Sequence, residues 1–366
     1  MGFNFNRVNF LLPLIIIYSI IPQIISVLSF TYPQSTTLKN KNILIVEKNG
    51  IYICDPNFDT ILSTLYSFSD EDKITTQSKL STTIIKKSSF AILILTNYKL
   101  YIIRTTTGEL LYQNDNKIIQ GEEPEYVDLA YVYTKTNDKF YFTISYINSS
   151  NYLKIFYYEF FISDNSISFY NSCSLNSVTR AYSGSSYTFN IQNKGISCDN
   201  VVDDYNSDYS YITCFVIGKI GRNDYLIPIT FDDGSSSISF VDSYYTMGFI
   251  NINNVMQIKT DTNGDMDITY VCYVTEQNLG ECYAFYLDRS YKEGYFSSSK
   301  ITFPKSCRAE IYGMKVSYIF ETGKVLFSCS DLDGSLQVKI FGEEDKYYKF
   351  DNCIDINGFS IIFLDS

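Results

Sequence analysis

Residues 90–115 read FAILILTNYKLYIIRTTTGELLYQND. Three apolar runs rich in β-branched and aromatic residues are separated by a tight turn at Tyr98-Lys99 and by a Thr-Gly turn, which predicts three consecutive antiparallel strands. Runs of the same kind, separated by Gly, Asn, Asp and Ser, fill the chain from Asn42 to Leu364 with almost no helical periodicity. The sequence therefore predicts an all-β protein.

The second hairpin of this stretch, Leu100 to Tyr112, resembles the blade repeat of quinoprotein-like β-propellers. It has the Thr-Gly turn and an aromatic residue shortly after it, with Tyr112 where that repeat has a tryptophan. The resemblance covers one blade and implies a blade, not a cofactor. Similar units recur at roughly the forty-to-fifty-residue period of propeller blades, at residues 42–68, 82–114, 126–172, 197–245, 249–299 and 309–350. We therefore expect a β-propeller of about six blades.

The two ends of this predicted propeller complement each other. The first unit is one strand short, and residues 354–364 have the character of a first strand of a blade. Pairing of 354–364 with 42–46 would close a single domain, 30–366, and would remove exposed sheet edges. The alternative is that 354–364 begins a further blade, so that the chain is the truncated ectodomain of a larger membrane protein.

Residues 1–29 have the pattern of a signal peptide. Arg7 precedes the apolar run Leu11–Leu28, and small residues before Phe30 suit signal-peptidase cleavage. The alternative is an uncleaved anchor helix, which Pro13 and Pro22 would interrupt. Either reading predicts that the remainder is secreted or displayed on the extracellular surface.

Composition excludes several kinds of function. The chain has 29 Lys and Arg against 40 Asp and Glu, a net charge of −11, which argues against nucleic acid or an anionic membrane as partner. It contains no histidine, so Ser-His-Asp and Cys-His catalysis and HExxH zinc sites are excluded. Carboxylate chemistry and simple binding remain.

All nine cysteines follow the signal, as expected in an oxidising compartment, and none forms a CxxC pair. Their placement relative to the strands suggests disulfides between Cys198 and Cys214, Cys272 and Cys282, and Cys307 and Cys329. Cys353 would pair with Cys54 if the ring closes, and Cys173 is then the odd one of the nine cysteines. Buried thiols are the alternative. Asn148-Ser149-Ser150 is an N-glycosylation sequon.

The segment Asp261-Thr262-Asn263-Gly264-Asp265-Met266-Asp267 places oxygen-bearing side chains at alternate positions, a spacing that suits calcium. It resembles the calcium loops of FG-GAP propellers, which implies Asp261, Asn263, Asp265 and Asp267 as ligands. It departs from them at Met266, where they have glycine, and at Thr269, where they have aspartate. The alternative is a solvated hairpin turn. Calcium is the only cofactor that the sequence suggests.

Adjacent carboxylates, the remaining candidates for acid and base catalysis, occur at Glu122-Glu123, Asp203-Asp204, Asp232-Asp233 and Glu343-Glu344-Asp345. Each group sits in a polar turn, which favours solvated charges, so we predict no catalytic residue.

Most tyrosines are interpreted as packing between blades, and those in turns, Tyr205, Tyr209 and Tyr244, as a candidate rim for a protein or glycan ligand. The sequence predicts a secreted or surface binding protein; the alternatives are a carboxylate-dependent glycoside hydrolase and the truncated ectodomain.

Overall fold

The structure, a computed structural model, divides the chain into two units, Met1–Lys39 and Asn40–Ser366, and describes residues of the second. The described residues are 43–47, 49–55, 61–73, 81–84, 90–94, 98–114, 119, 122, 124, 126–132, 138–182, 185–202, 210–234, 237–240, 246–247, 249–252, 255–263, 268–288, 293–298, 300–302, 306–307, 315–319, 324–330, 336–340, 346–348 and 360–363. Their regular elements are β-strands, numbered in chain order. The predicted signal peptide lies outside the described residues.

Four sheets contain four antiparallel strands each, and the strands lie side by side in the following order. Sheet A is β28 (Ser360–Phe363), β1 (Ile43–Glu47), β2 (Gly50–Cys54) and β3 (Ile61–Ser67); sheet B is β4 (Ser81–Ile84), β5 (Phe90–Ile94), β6 (Leu100–Arg104) and β7 (Leu110–Gln113); sheet C is β8 (Val127–Val132), β9 (Lys139–Ile147), β10 (Leu153–Phe161) and β11 (Ser166–Leu175); sheet F is β24 (Lys315–Ile319), β25 (Lys324–Ser330), β26 (Leu336–Ile340) and β27 (Lys346–Tyr348).

Two further sheets contain six strands. Sheet D is β12 (Ser177–Tyr182), β13 (Ser185–Val202), β14 (Ser210–Ile220), β15 (Asn223–Gly234) and β16 (Ser237–Phe240), with β18 (Ile250–Ile252) also paired to β15. Sheet E is β17 (Thr246–Met247), β22 (Glu293–Phe296), β21 (Gly280–Asp288), β20 (Ile268–Thr275) and β19 (Val255–Asn263), with β23 (Ile301–Thr302) also paired to β21. Four sheets thus have the regular four-stranded form of a blade, where the sequence predicts about six blades. The difference arises because β12, β17, β18 and β23 extend the other two.

One strand of each sheet faces the next sheet around a closed cycle. The contacts run from β28 to β4, β8, β13, β19 and β24, and from β24 back to β28. These six strands are called the inner strands. Apart from the parallel pair β17–β22 at the edge of sheet E, the described strands pair antiparallel. A cycle of such sheets arranged in chain order around their inner strands is a β-propeller.

The ring closes by pairing the two ends of the described chain. Strand β28 runs antiparallel to β1, with Ile43 opposite Phe363 and Val46 opposite Ser360. The pairing satisfies an edge of β1 that would otherwise expose backbone hydrogen-bonding groups. Residues 354–359, which the sequence includes in the closing strand, lie outside the described residues.

Packing between neighbouring sheets explains why these strands are apolar on both faces. In β6, Leu100 and Ile102 pack into the cluster between sheets B and C, while Tyr101 and Ile103 pack into the cluster between sheets A and B. Further apolar clusters fill the junctions between sheets C and D, D and E, and E and F. Because both faces of the blade are buried, the sequence of such a strand is a continuous apolar run and does not alternate between apolar and polar residues.

The turn predicted after β6 depends on a glycine. Gly108 has a φ of 74°, and a Cβ built there would lie 2.1 Å from the backbone oxygen of Leu65 in the neighbouring sheet. Its N–H donates to the carbonyl oxygen of Arg104 at 2.8 Å, which closes the turn. Only glycine combines that backbone conformation with so close an approach. None of the described residues forms a helix long and apolar enough to cross a membrane.

Candidate binding site

A buried polar network joins the inner strands of sheets C, D and E. The Ser197 hydroxyl donates to Asp128 Oδ2 at 2.8 Å and lies 3.0 Å from Thr260 Oγ1. The backbone N–H of Cys198 also donates to Asp128 Oδ2, and that of Thr260 donates to Ser197 Oγ. Asp128 is only 5% exposed, so its carboxylate is a buried acceptor that joins sheet C to sheet D, and Ser197 Oγ extends the network to sheet E.

A second set of polar contacts ties hairpins to the segments that enter or leave their sheets. In sheets B, C and E, a charged residue at the turn between the second and third strands counted from the inner strand forms an ion pair with such a segment. In sheet D the partner of the corresponding residue is Lys194, in the irregular part of the inner strand β13. The pairs are Lys99 with Asp72, Lys154 with Glu122, Asp224 with Lys194 and Glu281 with Lys300, with N–O distances of 2.9, 2.5, 2.5 and 2.5 Å. These carboxylates are engaged in structural contacts.

Tyrosine phenols accompany two of these ion pairs. The Tyr273 hydroxyl donates to Glu281 Oε2 at 2.5 Å, and burial followed by the interaction with Glu281 raises the pKa of Tyr273. Burial and then Glu122 raise the pKa of Tyr146 in the same way. Burial also raises the pKa of Glu122, but hydrogen bonds from Lys154, Tyr146 and Asn148 lower it by more. The phenols therefore stay protonated and Glu122 ionised near neutral pH, which suits hydrogen bonding and not proton transfer.

Stacked aromatic pairs recur along the described strands, and in four of them at least one ring is almost fully buried. These four are Tyr141 with Tyr157, Phe142 with Tyr158, Tyr146 with Phe156, and Tyr273 with Tyr283. They are packing contacts, as predicted for most tyrosines. Burial, followed by the nearby Tyr112, raises the pKa of Tyr158 to about 12.

The fifth described stack is exposed. Tyr286 of β21 and Tyr295 of β22 lie directly opposite each other, with ring centroids 5.1 Å apart and planes 17° apart. Tyr295 is 57% exposed, the largest fraction among the exposed large hydrophobic side chains of the described residues, and Tyr286 is half-buried. Sequence reasoning missed this pair, although the two tyrosines stand at equal distances from the polar stretch 288–293 in the sequence. Tyr205, Tyr209 and Tyr244, the predicted rim, lie outside the described residues.

The structure contains three disulfide bonds, so disulfide bonding is confirmed. They join Cys198 to Cys214 across β13 and β14, Cys272 to Cys282 across β20 and β21, and Cys307 to Cys329 of β25. Cys54 ends β2 and is buried, and Cys173 lies half-buried in β11. Cys353 lies outside the described residues, and its pairing with Cys54 stays a prediction.

The predicted modification site lies in the turn between β9 and β10. Asn148 Oδ1 accepts hydrogen bonds from the backbone N–H groups of Ser150 and Tyr152 at 3.1 and 2.9 Å. Asn148 Nδ2 lies 3.4 Å from Glu122 Oε1, while Ser149 and Ser150 are exposed. Glycosylation of Asn148 stays a prediction.

The calcium and carboxylate candidates are only partly described. Asp261 and Asn263 occupy the last positions of β19, paired with Tyr270 and Ile268, and Asp265 and Asp267 lie outside the described residues. Among the described side chains, no group of three His, Cys, Asp or Glu could hold a metal ion. Of the adjacent carboxylates, Glu122 forms its ion pair with Lys154 and Asp232-Asp233 lie near the end of β15, while Glu123, Asp203-Asp204 and Glu343-Glu344-Asp345 lie outside the described residues.

Comparison with known proteins finds likeness in structure alone. No protein-family model matches the chain, and no curated protein sequence matches it. A mutant of the Aleuria aurantia lectin in complex with alpha-methyl-L-fucoside has a TM-score of 0.49 at 8% identity, covering 87% of this chain and 96% of that one. A mutant of AofleA from Arthrobotrys oligospora has a TM-score of 0.49 at 10% identity, covering 88% and 92%.

A third similar structure is the WD40 domain of Toxoplasma gondii coronin, with a TM-score of 0.44 at 8% identity, covering 85% of this chain and 70% of that one. All three scores lie below 0.5, so the propeller assignment rests on the strand pairing and the cycle of inner strands. The quinoprotein-like character of the Leu100–Tyr112 hairpin stays a prediction.

Proposed function

We propose that this chain is a secreted or cell-surface protein that binds a protein or glycan ligand without covalent chemistry. The observation that carries the proposal is the exposed stack of Tyr286 and Tyr295. A tyrosine offers a large apolar face and a polar tip at small cost in conformational entropy, which suits a recognition surface. A propeller holds such a surface on rigid strands.

The state of the described polar groups supports binding over hydrolysis. Glycoside hydrolysis requires two carboxyl groups facing each other across a cleft, one as acid and one as base or nucleophile. Glu122 and Glu281 are instead neutralised by Lys154 and Lys300, and Asp128 is enclosed between sheets. The three disulfides support an oxidising compartment. We further propose that the two six-stranded sheets serve as blades alongside the four regular ones, in a six-bladed ring.

The test uses the full chain produced with its own N-terminus in a secretory host. We expect the protein in the medium with Phe30 as its first residue, and saturable binding either to a printed glycan array or to a purified extracellular protein. The same preparation is incubated with a panel of fluorogenic glycosides. Retention inside the cell would contradict secretion, turnover of a glycoside would favour the hydrolase, and absence of any saturable ligand would overturn the binding function.

A further inference from the structure

Two hydroxyl groups of β9 are buried without a hydrogen-bond partner among the described residues. They are Thr143 Oγ1 and Ser145 Oγ, and both residues are 0% exposed. Phe142, Ile144 and Tyr146, which alternate with them along β9, pack in the cluster between sheets B and C. Thr143 and Ser145 therefore point the other way, toward sheet D, because successive side chains of a strand lie on opposite faces. A buried hydroxyl without a partner costs free energy, so both groups require an explanation.

A third polar group lies in the same junction, on the side of sheet D. Asn200 Oδ1, on the inner strand β13, is also buried without a hydrogen-bond partner in the described part of the chain, and Asn200 is 8% exposed. Asn200 is two positions from Cys198 and directly opposite Ile212 of β14. Both of those residues belong to the apolar cluster between sheets C and D. The Asn200 side chain therefore faces sheet C.

Two contacts show that the inner strands of sheets C and D run in the same direction. The Asn193 N–H donates to Asn151 Oδ1, in the turn between β9 and β10. Because β8 pairs antiparallel with β9, this turn lies beside the beginning of β8. Further along β13, the Cys198 N–H donates to Asp128 Oδ2, within β8. Moving toward the start of β13 thus leads toward the start of β8, so the two strands are parallel.

This direction brings Asn200 to the level of Thr143. Two residues beyond the contact with Asp128 are Asn200 in β13 and Ala130 in β8, so these two lie side by side. Ala130 is directly opposite Thr143 on β9, and Asp128 is directly opposite Ser145. The side chain of Ala130 is a single methyl group, which takes up little of the space between the polar groups. The two hydroxyls and the Asn200 carbonyl oxygen therefore converge around Ala130.

The hydrogen-bonding capacity of the three groups selects their ligand. Each hydroxyl has a hydrogen to donate and can also accept, whereas the Asn200 side-chain oxygen only accepts. A cation would bind oxygen lone pairs but would leave both hydroxyl hydrogens without an acceptor. A water molecule accepts from a hydroxyl and donates to a carbonyl oxygen, and a buried water typically makes about three hydrogen bonds. The three groups together therefore fit water.

We propose that one or two ordered water molecules are bound between sheets C and D, where they join Thr143 and Ser145 to Asn200. The bound water connects the second strand of sheet C to the inner strand of sheet D, beside the apolar cluster of that junction. A buried polar network with all its hydrogen bonds made fixes the alignment of the two sheets, because sliding one sheet would break those bonds. The inference does not depend on the ligand of the propeller.

Removing a hydroxyl while keeping the shape of the side chain distinguishes bound water from an unpaired group. With water bound, Thr143→Val breaks the bridge and leaves the other groups unpaired, so the folding equilibrium constant should fall about tenfold. Without water, the same substitution removes an unpaired buried hydroxyl, and the constant should rise. Urea unfolding followed by circular dichroism measures it. Thr64→Val, at an exposed position of β3, is the matched control and should change it little.

The double variant shows whether the two hydroxyls share one bridge. Thr143→Val combined with Ser145→Ala should lose less unfolding free energy than the sum of the two single losses, because the first substitution already breaks the bridge. Additive losses, or a rise in stability for Thr143→Val, would overturn the proposal.

A high-resolution crystal structure of the wild-type protein provides a test that requires no variant to fold. We expect density for water within hydrogen-bonding distance of Thr143 Oγ1, Ser145 Oγ and Asn200 Oδ1. An empty junction, or side chains that contact each other directly there, would contradict bound water.

Discussion

The Ser197 hydroxyl donates to Asp128 Oδ2 at 2.8 Å, although the two residues are 69 positions apart in the chain. The bond crosses from the inner strand of sheet D to that of sheet C. Ser197 Oγ also accepts the backbone N–H of Thr260, from the inner strand of sheet E. One hydroxyl group thus connects three successive sheets, in addition to the apolar clusters that pack between them.

Replacing Ser197 should destabilise the ring without touching the surface. Ser197→Ala leaves the buried Asp128 carboxylate without one donor and the Thr260 N–H without its acceptor, which should cost about 1–3 kcal/mol of unfolding free energy. Urea unfolding followed by circular dichroism measures the loss. Ser174→Ala, at an exposed position of β11, is the matched control and should change stability little. An equal effect of the two substitutions would contradict the structural role of Ser197.

Removing strand β28 should open the ring. A chain ending at Phe359 lacks all four residues that pair with β1, so it exposes the backbone groups of that strand. We expect a lower melting temperature and self-association in light scattering. A chain ending at Phe363 keeps the pairing and is the control. If both truncated chains melt and scatter alike, the contribution of β28 to closure is disproved.

The disulfide between Cys272 and Cys282 should contribute to stability, since it joins directly opposite residues of β20 and β21. Replacing both cysteines by alanine should cost about 2–4 kcal/mol. Wild-type protein treated with dithiothreitol should lose more unfolding free energy, because all three disulfide bonds are reduced. Non-reducing peptide mapping should recover linked peptides for each pair, and a different connectivity would contradict the structure.

The Glu122–Lys154 pair should make the stability of the folded protein depend on pH in the acidic range. In the folded state the pKa of Glu122 lies below its ordinary value of 4.5. The ionised carboxylate therefore adds to the free energy of unfolding in full above the unfolded-state pKa, and this addition is lost as pH falls through the folded-state pKa. Melting temperatures from pH 7 to pH 3 measure it. In Glu122→Gln the melting temperature should fall less below about pH 4.5 than it does in the wild type. Glu71→Gln, at an exposed carboxylate, should show the same melting temperatures as the wild type. Identical profiles for Glu122→Gln and wild type would refute the contribution.

The calcium loop stays a prediction that melting curves test directly. If Asp261, Asn263, Asp265 and Asp267 bind calcium, millimolar calcium should raise the melting temperature relative to a chelator, since a ligand that binds only the folded state stabilises it. Asp265→Asn combined with Asp267→Asn should abolish the rise. Magnesium at the same concentration is the control for ionic strength. An unchanged melting temperature in calcium would favour the solvated hairpin turn.

Much of the fold could be predicted from local sequence. The apolar runs and the turns at Tyr98 and Gly108 specify strands and hairpins, because backbone preference and turn chemistry act over a few residues. The three disulfide-bonded cysteine pairs are also near in sequence, so a spacing of 10 to 22 residues indicated pairs that the structure joins. The extra strands of sheets D and E were missed. Strands such as β17 and β23 are only two residues long and carry no periodic pattern.

The sequence by itself determined the all-β class, the blade-like hairpins and the exclusion of histidine chemistry, since composition and short-range pattern suffice for these. Only the tertiary structure decided that Asp128, Ser197 and Thr260 meet, and that Tyr286 and Tyr295 stay exposed while Tyr157 and Tyr273 are buried. The reason is that a blade is covered on both faces by its neighbours. Apolar alternation then no longer separates inside from outside, and the environment of a tyrosine depends on residues from another blade.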